Sequence, residues 1–357
     1  MRNIYDQEPI RLCQIGVGNF GKVLYDRLKD IAGIEIVCAF HPTDAHKAGR
    51  WGCRCTTDLV GVLSDPTIHG VIISSPSRDH AEHIQQAMVH QKHIFVEKPV
   101  TALYAEALEL ITPLGRYAPV FMVGHQHRRY PAMRVAEEIL ASQSLGAIVN
   151  VTINSSHGGA FHFTPEMWRY HLASHREGPL VTAAVHLFDT LHYWLGPVRR
   201  VCALIKNRSR RTEAPDCNAV LIEMANETMV FLQTNYNVPS EDRIEIFGTE
   251  GVVTINRLQV WKRMGRDVNQ VPSKPEGVTL EDQDPFTEEM VEFINAIRRH
   301  TRPETGFREG LNALAVVEAC YRSFQESRWV ALGELPSYDV PETTLLTKGC
   351  AQTKTTH

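Results

Sequence analysis

A glycine loop between two apolar runs constrains this chain more than any other stretch. Ile10-Arg11-Leu12-Cys13-Gln14-Ile15 reads as a strand, Gly16-Val17-Gly18-Asn19-Phe20-Gly21 supplies G-x-G-x-x-G, and a helix follows to about Asp30. Ile34 to Phe40 is the next strand. In that setting each glycine has a mechanism. Gly16 permits the sharp turn, Gly18 lets backbone approach a pyrophosphate, and Gly21 lets helix and strand pack closely. The helix start offers N–H groups and a partial positive charge to phosphate. Gly16, Gly18, Asn19, Phe20 and Gly21 are therefore candidate dinucleotide contacts. A glycine turn serving packing alone, or the related loop of a methyltransferase, are the competing readings.

The alternation continues. Asp58 to Leu63 forms a short helix, and Gly70 to Ser75 forms a buried strand that ends at Pro76. Ser77 is placed to cap a helix bearing Ala81, Ile84 and Met88, and Thr101 to cap one bearing Leu103, Ala107, Leu110 and Leu114. Pro119 to Gly124 is a further strand. Strands separated by helices predict a parallel, doubly wound α/β sheet. After Gly124 the pattern changes to a helix near 131–141 and then mainly strands, near 148–155, 198–205, 219–224, 229–235, 243–247 and 252–255. Short turns between them predict an α+β domain with an open, mainly antiparallel sheet. Two late helices are expected near 285–299 and 308–325. The domains expected are 1–124, 125–335, and a mobile polar tail over 336–357.

A ribose-binding acid belongs about 20 residues after such a loop. Phe40 and His41 stand there, with Asp44 three residues on. Without the acid, repulsion of a 2′-phosphate is removed, and His41, Lys47 or Arg50 can contact one. That tilts the expectation toward NADP without excluding NAD.

Composition excludes several classes. Lys+Arg 37 against Asp+Glu 41 gives a net charge of -4, which draws the surface neither to nucleic acid nor to anionic membrane. No apolar run approaches the ~20 residues of a membrane span, and residues 1–10 lack an apolar signal core, so a cytoplasmic location is expected. The eight cysteines lie mostly in apolar runs, and Cys53-x-Cys55 has no matching second pair. No metal site is expected.

Two stretches carry chemistry. Ile94-Phe95-Val96 is a buried strand that ends in Glu97-Lys98-Pro99, and Pro99 cannot continue a ladder, so Lys98 is fixed at a strand end where open α/β sheets bind ligands. Between Gly178 and Gly196, Val185, Phe188, Leu191 and Leu195 follow helical spacing, while His186, Asp189, Thr190 and Tyr193 share another face. Asp189 is thereby placed to orient the His186 ring, as a general base requires. A solvated turn lysine and a satisfied core histidine are the plainer readings of these residues.

Taken together, Gly16-x-Gly18-x-x-Gly21, Pro76 with His80, Glu97-Lys98-Pro99, Trp168-Arg169 and the Gly178–Gly196 stretch resemble the Gfo/Idh/MocA oxidoreductases, named for glucose-fructose oxidoreductase and inositol dehydrogenase. The resemblance runs from about residue 10 to 335. It implies a Rossmann domain, then a sheet domain that binds substrate and mediates homo-oligomers. It also implies hydride transfer between a nicotinamide cofactor and a hydroxyl-bearing carbon of a sugar or polyol. Lys98 would orient the reacting oxygen, His186 would take or return its proton, and Ser75, Pro76, His80 and Glu97 would join the cofactor site. Arg129, Trp168, Arg169 and Thr182 would face substrate, although Arg129 equally suits tying the domains together. Thr182 stands where the family usually has an aspartate, and it cannot accept a proton at neutral pH. A redox-neutral enzyme that retains NAD, and a dinucleotide-binding regulator without turnover, are the alternatives.

Overall fold

Alternating apolar runs and glycine or proline stops build the first sheet one βα step at a time. The computed structural model describes residues 8–47, 49–265 and 274–336, so the expected tail falls almost wholly outside the described residues. Two units divide these residues. One runs to Gly124 and includes Phe286–Arg308; the other holds His125–Pro285 and the residues from Glu309 on.

The first unit contains β1 (Ile10–Ile15), α1 (Asn19–Leu28), β2 (Ile34–Phe40), β3 (Arg54–Thr56), α2 (Leu59–Ser64), β4 (Gly70–Ile73), α3 (His80–Val89), β5 (His93–Glu97), α4 (Tyr104–Glu109), α5 (Ile111–Leu114) and β6 (Phe121–Gly124). The strands pair in parallel in the order β3-β2-β1-β4-β5-β6, the doubly wound arrangement expected from the sequence. β4 is buried at every position, as a central strand covered on both faces must be.

The second unit begins with α6 (Pro131–Ala141) and β7 (Ile148–Ser156), then a π-helical segment Leu180–Ala184 that runs into α7 (Val185–Leu195). Next come β8 (Val198–Lys206), β9 (Cys217–Met224), β10 (Met229–Asn235), β11 (Glu241–Gly248), β12 (Gly251–Ile255), β13 (Val260–Met264) and β14 (Glu276–Val278). The chain ends in α8 (Pro285–Arg299), α9 (Phe307–Glu326) and β15 (Val330–Ala331). Nine strands form one open sheet, β14-β13-β12-β11-β7-β10-β9-β8-β15. All its pairs are antiparallel except β7 with β10, which run parallel across the long connection through α7. Among the described residues, no helix is long and apolar enough to cross a membrane.

The structure corrects several expectations. β13, β14 and β15 were not foreseen: β13 carries Lys262 and Arg263 and shows no clean alternation, and the other two are three and two residues long. Helix α8, expected within the 125–335 domain, belongs to the first unit. Its Met290, Phe293, Ile294 and Ile297 pack with Leu12, Leu28, Phe95 and Met122, and Phe293 meets Phe95 edge-on at 5.9 Å. Helical periodicity shows that a face is buried, but not which sheet buries it. Ser77 does not cap α3, because a 3-10 turn over Ser77–Asp79 intervenes. Thr101 does not cap α4 either. Leu103 holds the extended cap position and Glu106 accepts its backbone N–H, while the Thr101 hydroxyl donates to the Leu103 carbonyl.

Candidate dinucleotide and substrate sites

In the first unit, β1 delivers the chain into Gly16 at φ +101°, where a Cβ would lie 2.4 Å from Ser75 N. A Cβ on Gly21 would lie 2.3 Å from the Gly16 carbonyl oxygen. These two glycines are required by the protein's own packing. Gly18 differs, since a Cβ there would meet nothing within 4 Å. The room left by its missing side chain belongs to no protein atom. Gly18 is also the cap residue of α1 and offers no side-chain cap, and Asn19 and Phe20 are exposed beside it. First-turn N–H groups without a side-chain cap favour an anion. The loop is braced from below: Ser74 Oγ donates to the Gly16 carbonyl at 3.1 Å, and Gln14 Nε2 donates to Ser74 Oγ at 2.7 Å.

At the end of β2, His41 Nδ1 accepts the Thr43 and Asp44 backbone N–H groups at 3.3 and 3.1 Å. A ring proton offered outward is therefore on Nε2. The Asp44 carboxylate accepts the His46 N–H at 2.8 Å and closes a local turn.

At the end of β4, the Ser75 hydroxyl bonds to His83 Nδ1 at 2.9 Å. His80 is buried beyond Pro76, with Nε2 at 2.9 Å from the Ser75 carbonyl and Nδ1 at 2.9 Å from the Pro99 carbonyl. Burial pushes its pKa below the usual histidine range. Both ring nitrogens face backbone, so His80 joins the β4 end to the turn after β5. In that turn, Glu97 is buried and Lys98 half-buried, and the Lys98–Pro99 peptide is cis. Glu97 Oε2 accepts the Lys98 N–H at 3.3 Å, and Oε1 is buried without a hydrogen-bond partner among the described residues. Burial raises this carboxyl to about 7 against the pull of the Lys98 cation. Open space at Gly18, the α1 start without a side-chain cap and the orphaned Glu97 oxygen together fit a dinucleotide.

In the second unit, His186 is half-buried in the first turn of α7, with its ring 6.0 Å from those of His125 and His127. Asp189 was expected to orient it. Instead, both Asp189 oxygens are taken by Arg128, Nε at 2.6 Å and Nη2 at 2.7 Å. Burial alone would raise the carboxyl, but His125 and Arg128 outweigh burial and hold it below its usual range. Spacing put the two residues on one face, but a two-pronged guanidinium is the stronger partner for a carboxylate. The other polar residues of that face are also satisfied from residues 125–134. Thr190 Oγ1 lies 2.9 Å from His127 Nδ1 and donates to the His186 carbonyl, while Arg134 donates to the Tyr193 hydroxyl at 2.8 Å.

Arg129 is fully buried, Trp168 is half-buried and Arg169 is exposed, its guanidinium 4.8 Å over the Trp168 ring. Thr182 Oγ1 bonds to the hydroxyl of Tyr236. Sequence reasoning missed Arg128 and Tyr236. Arg128 sat beside the residue singled out, and Tyr236 follows β10 with no motif of its own. Only tertiary packing brings it to Thr182.

Two family profiles match. Residues 10–125 fit the NAD-binding Rossmann fold of the Gfo/Idh/MocA oxidoreductase family, and residues 137–332 fit its C-terminal alpha/beta domain. Inositol 2-dehydrogenase of Rhizobium meliloti is 23% identical over 337 residues, spanning 90% of this chain and 99% of that protein. A 2,7-anhydro-N-acetylneuraminate hydratase of Mediterraneibacter gnavus is 26% identical over 136 residues, 38% of this chain and 36% of that one. Levoglucosan dehydrogenase, solved with NADH and levoglucosan, superposes at a TM-score of 0.81 with 21% identity, covering 91% of this chain and 100% of the other. With both halves of the chain matched in order, the protein belongs to the Gfo/Idh/MocA oxidoreductase family.

Proposed function

We propose that this protein is an NAD(P)-dependent dehydrogenase or reductase acting on the CH–OH or C=O carbon of a sugar, polyol or similar small hydroxylated compound. The carrying observation is the glycine loop, where Gly16 and Gly21 are filled by the protein and Gly18 is left open beside the α1 start. Inositol 2-dehydrogenase and levoglucosan dehydrogenase, whose names denote sugar-like substrates, support the substrate class.

The bound nicotinamide accepts or supplies the hydride. Gly18, Asn19 and Phe20 receive the pyrophosphate, and Ser75, Pro76 and Glu97 border the cofactor, with His80 holding the β4 end in place. Lys98 orients the reacting oxygen and stabilises charge on it. His186 takes the hydroxyl proton in oxidation and returns it in reduction. Trp168, Arg169 and Thr182 contact substrate. The absence of an acid at His41 favours NADP. The protein assembles as a homo-oligomer through the outer face of the nine-stranded sheet, where Leu204, Leu221, Met229 and Phe231 are exposed.

The test is nicotinamide absorbance with a panel of sugars, polyols and hydroxy acids. The expected result is a change with at least one member, lost in Lys98→Ala and His186→Ala without loss of fold. Normal rates in both variants would overturn the roles. A second reading, redox-neutral chemistry with retained NAD, is favoured by the hydratase relative. It predicts product formation with no net absorbance change and slow dinucleotide exchange.

A further inference from the structure

The second unit holds a cluster of hydrogen-bond donors around Thr182. Tyr236 is 4% exposed, burial raises its phenol above the usual range, and its hydroxyl is hydrogen-bonded to Thr182 Oγ1; with the Thr182 proton directed to the Gly178 carbonyl, the bond is assigned as Tyr236 donating. Thr182 in turn donates to the Gly178 carbonyl across 3.4 Å, a long bond that a better-placed ligand oxygen can replace. Thr182 and His186 are both half-buried and four residues apart.

Around this pair the side chains are aromatic and cationic. His157 stacks on Tyr236 with centroids 4.5 Å apart, and its Nδ1 accepts the Gly159 N–H at 2.9 Å, which leaves the ring proton on Nε2 as a further donor. His175 lies 6.2 Å from Tyr236 and 5.1 Å from Trp168, whose ring supports the Arg169 guanidinium. Arg169 forms no ion pair with a carboxylate of the described residues, yet its charge is felt through the cluster. Burial first, then Arg169 and Arg257, holds His157 below its usual range, and burial, with a smaller push from the Arg169 charge, brings His175 down to about 4 against hydrogen bonds to the Arg169 and Gly178 backbone. Both imidazoles stay neutral. Neighbouring acids are engaged elsewhere: Glu177 with Arg176 at 2.5 Å, Asp242 with Arg257 at 2.8 Å, and Asp216 with the Arg208 and Ser209 backbone at 2.7 and 2.8 Å.

Donors and a cation that forms no ion pair among the described residues suit a group that only accepts. A polyol hydroxyl needs acceptors as well as donors, whereas a carboxylate is anionic and accepts only. We propose that Arg169 and the Tyr236-backed Thr182 hydroxyl bind a substrate carboxylate, so that the enzyme acts on a sugar acid or related hydroxy acid rather than a neutral sugar. The substrate class rests on the oxidoreductase reading above, but the binding step does not.

Calorimetric titration of the NADPH-loaded protein with glucuronate, galacturonate and gluconate, each against its neutral amide, tests this without requiring turnover. At least one acid should bind about tenfold more tightly than its amide, roughly 1.4 kcal/mol. Arg169→Gln and Thr182→Val should each erase most of that ratio by weakening acid binding far more than amide binding, Arg169→Lys should keep part of it, and Tyr236→Phe should reduce it. Preference for the acid without any turnover would uphold the carboxylate site and overturn the hydride-transfer reading. If no acid outbinds its amide, or Arg169→Gln leaves the ratio intact, the carboxylate site is wrong even if neutral sugars are oxidised.

Discussion

His80 Nδ1 lies 2.9 Å from the Pro99 carbonyl, and that contact fixes the turn that carries Lys98 to the start of α3. The same ring meets the Ser75 carbonyl through Nε2 at 2.9 Å. The neutral ring carries one N–H and donates to one of these carbonyls, so removing it orphans one backbone group, at about 1–3 kcal/mol if left buried and unsatisfied. His80→Ala should lower unfolding free energy by about 2 kcal/mol and weaken NADPH binding, read by denaturant titration and fluorescence. His80→Gln, which keeps N–H donors, should recover part of both. Unchanged stability in His80→Ala would show that the contact carries no weight.

Glu97 predicts a pH dependence. Its folded pKa is raised to about 7 by burial, above the unfolded value, so the folded state binds the extra proton. The resulting stability is fully present below the unfolded pKa of about 4.3 and is lost as pH rises to about 7. The upper bound is about 4 kcal/mol at about 1.4 kcal/mol per pH unit. Thermal melts across that window should decline in the native protein relative to Glu97→Gln. Parallel curves would contradict the assignment.

The three loop glycines should separate on substitution. Gly16→Ala and Gly21→Ala place a Cβ within 2.4 and 2.3 Å of backbone and should impair folding. Gly18→Ala meets no protein atom and should leave the melting temperature nearly unchanged while raising the NADPH dissociation constant about tenfold or more. Unaltered affinity in Gly18→Ala would place the pyrophosphate elsewhere.

Asp189 and Arg128 form a buried pair, so truncating one partner leaves the other's charge uncompensated. Asp189→Ala should cost about 3–5 kcal/mol in denaturant unfolding. An effect on rate with no effect on stability would instead return Asp189 to the role of orienting His186.

Exposed apolar residues on the outer sheet face predict self-association. Phe231 pairs directly with Leu221, and Leu221 with Cys202 on β8. Leu221→Glu with Phe231→Glu should reduce the mass measured by light scattering to that of one chain while the circular dichroism stays native. An unchanged mass would put the interface on another surface.

Local chemistry made much of the fold legible. The glycine loop and the strand stop at Pro99 each act within a few residues, and α6, β10 and α8 begin and end where periodicity put them. What stayed hidden depends on distant partners. Neither the docking of α8 on the Rossmann sheet, the capture of Asp189 by Arg128, nor the bond from Tyr236 to Thr182 leaves a periodic trace, because each is settled by tertiary packing. β14 and β15 are too short to show a pattern at all.

Transfer of label tests the central claim most directly. The protein is incubated with deuterium-labelled NADPH and the carbonyl form of a substrate found in the panel, and the product is analysed by mass spectrometry and NMR. Hydride transfer predicts one deuterium at the new carbinol carbon, lost in Lys98→Ala and His186→Ala. Product formed without deuterium at that carbon, or label transfer at the native rate in both variants, would contradict the account.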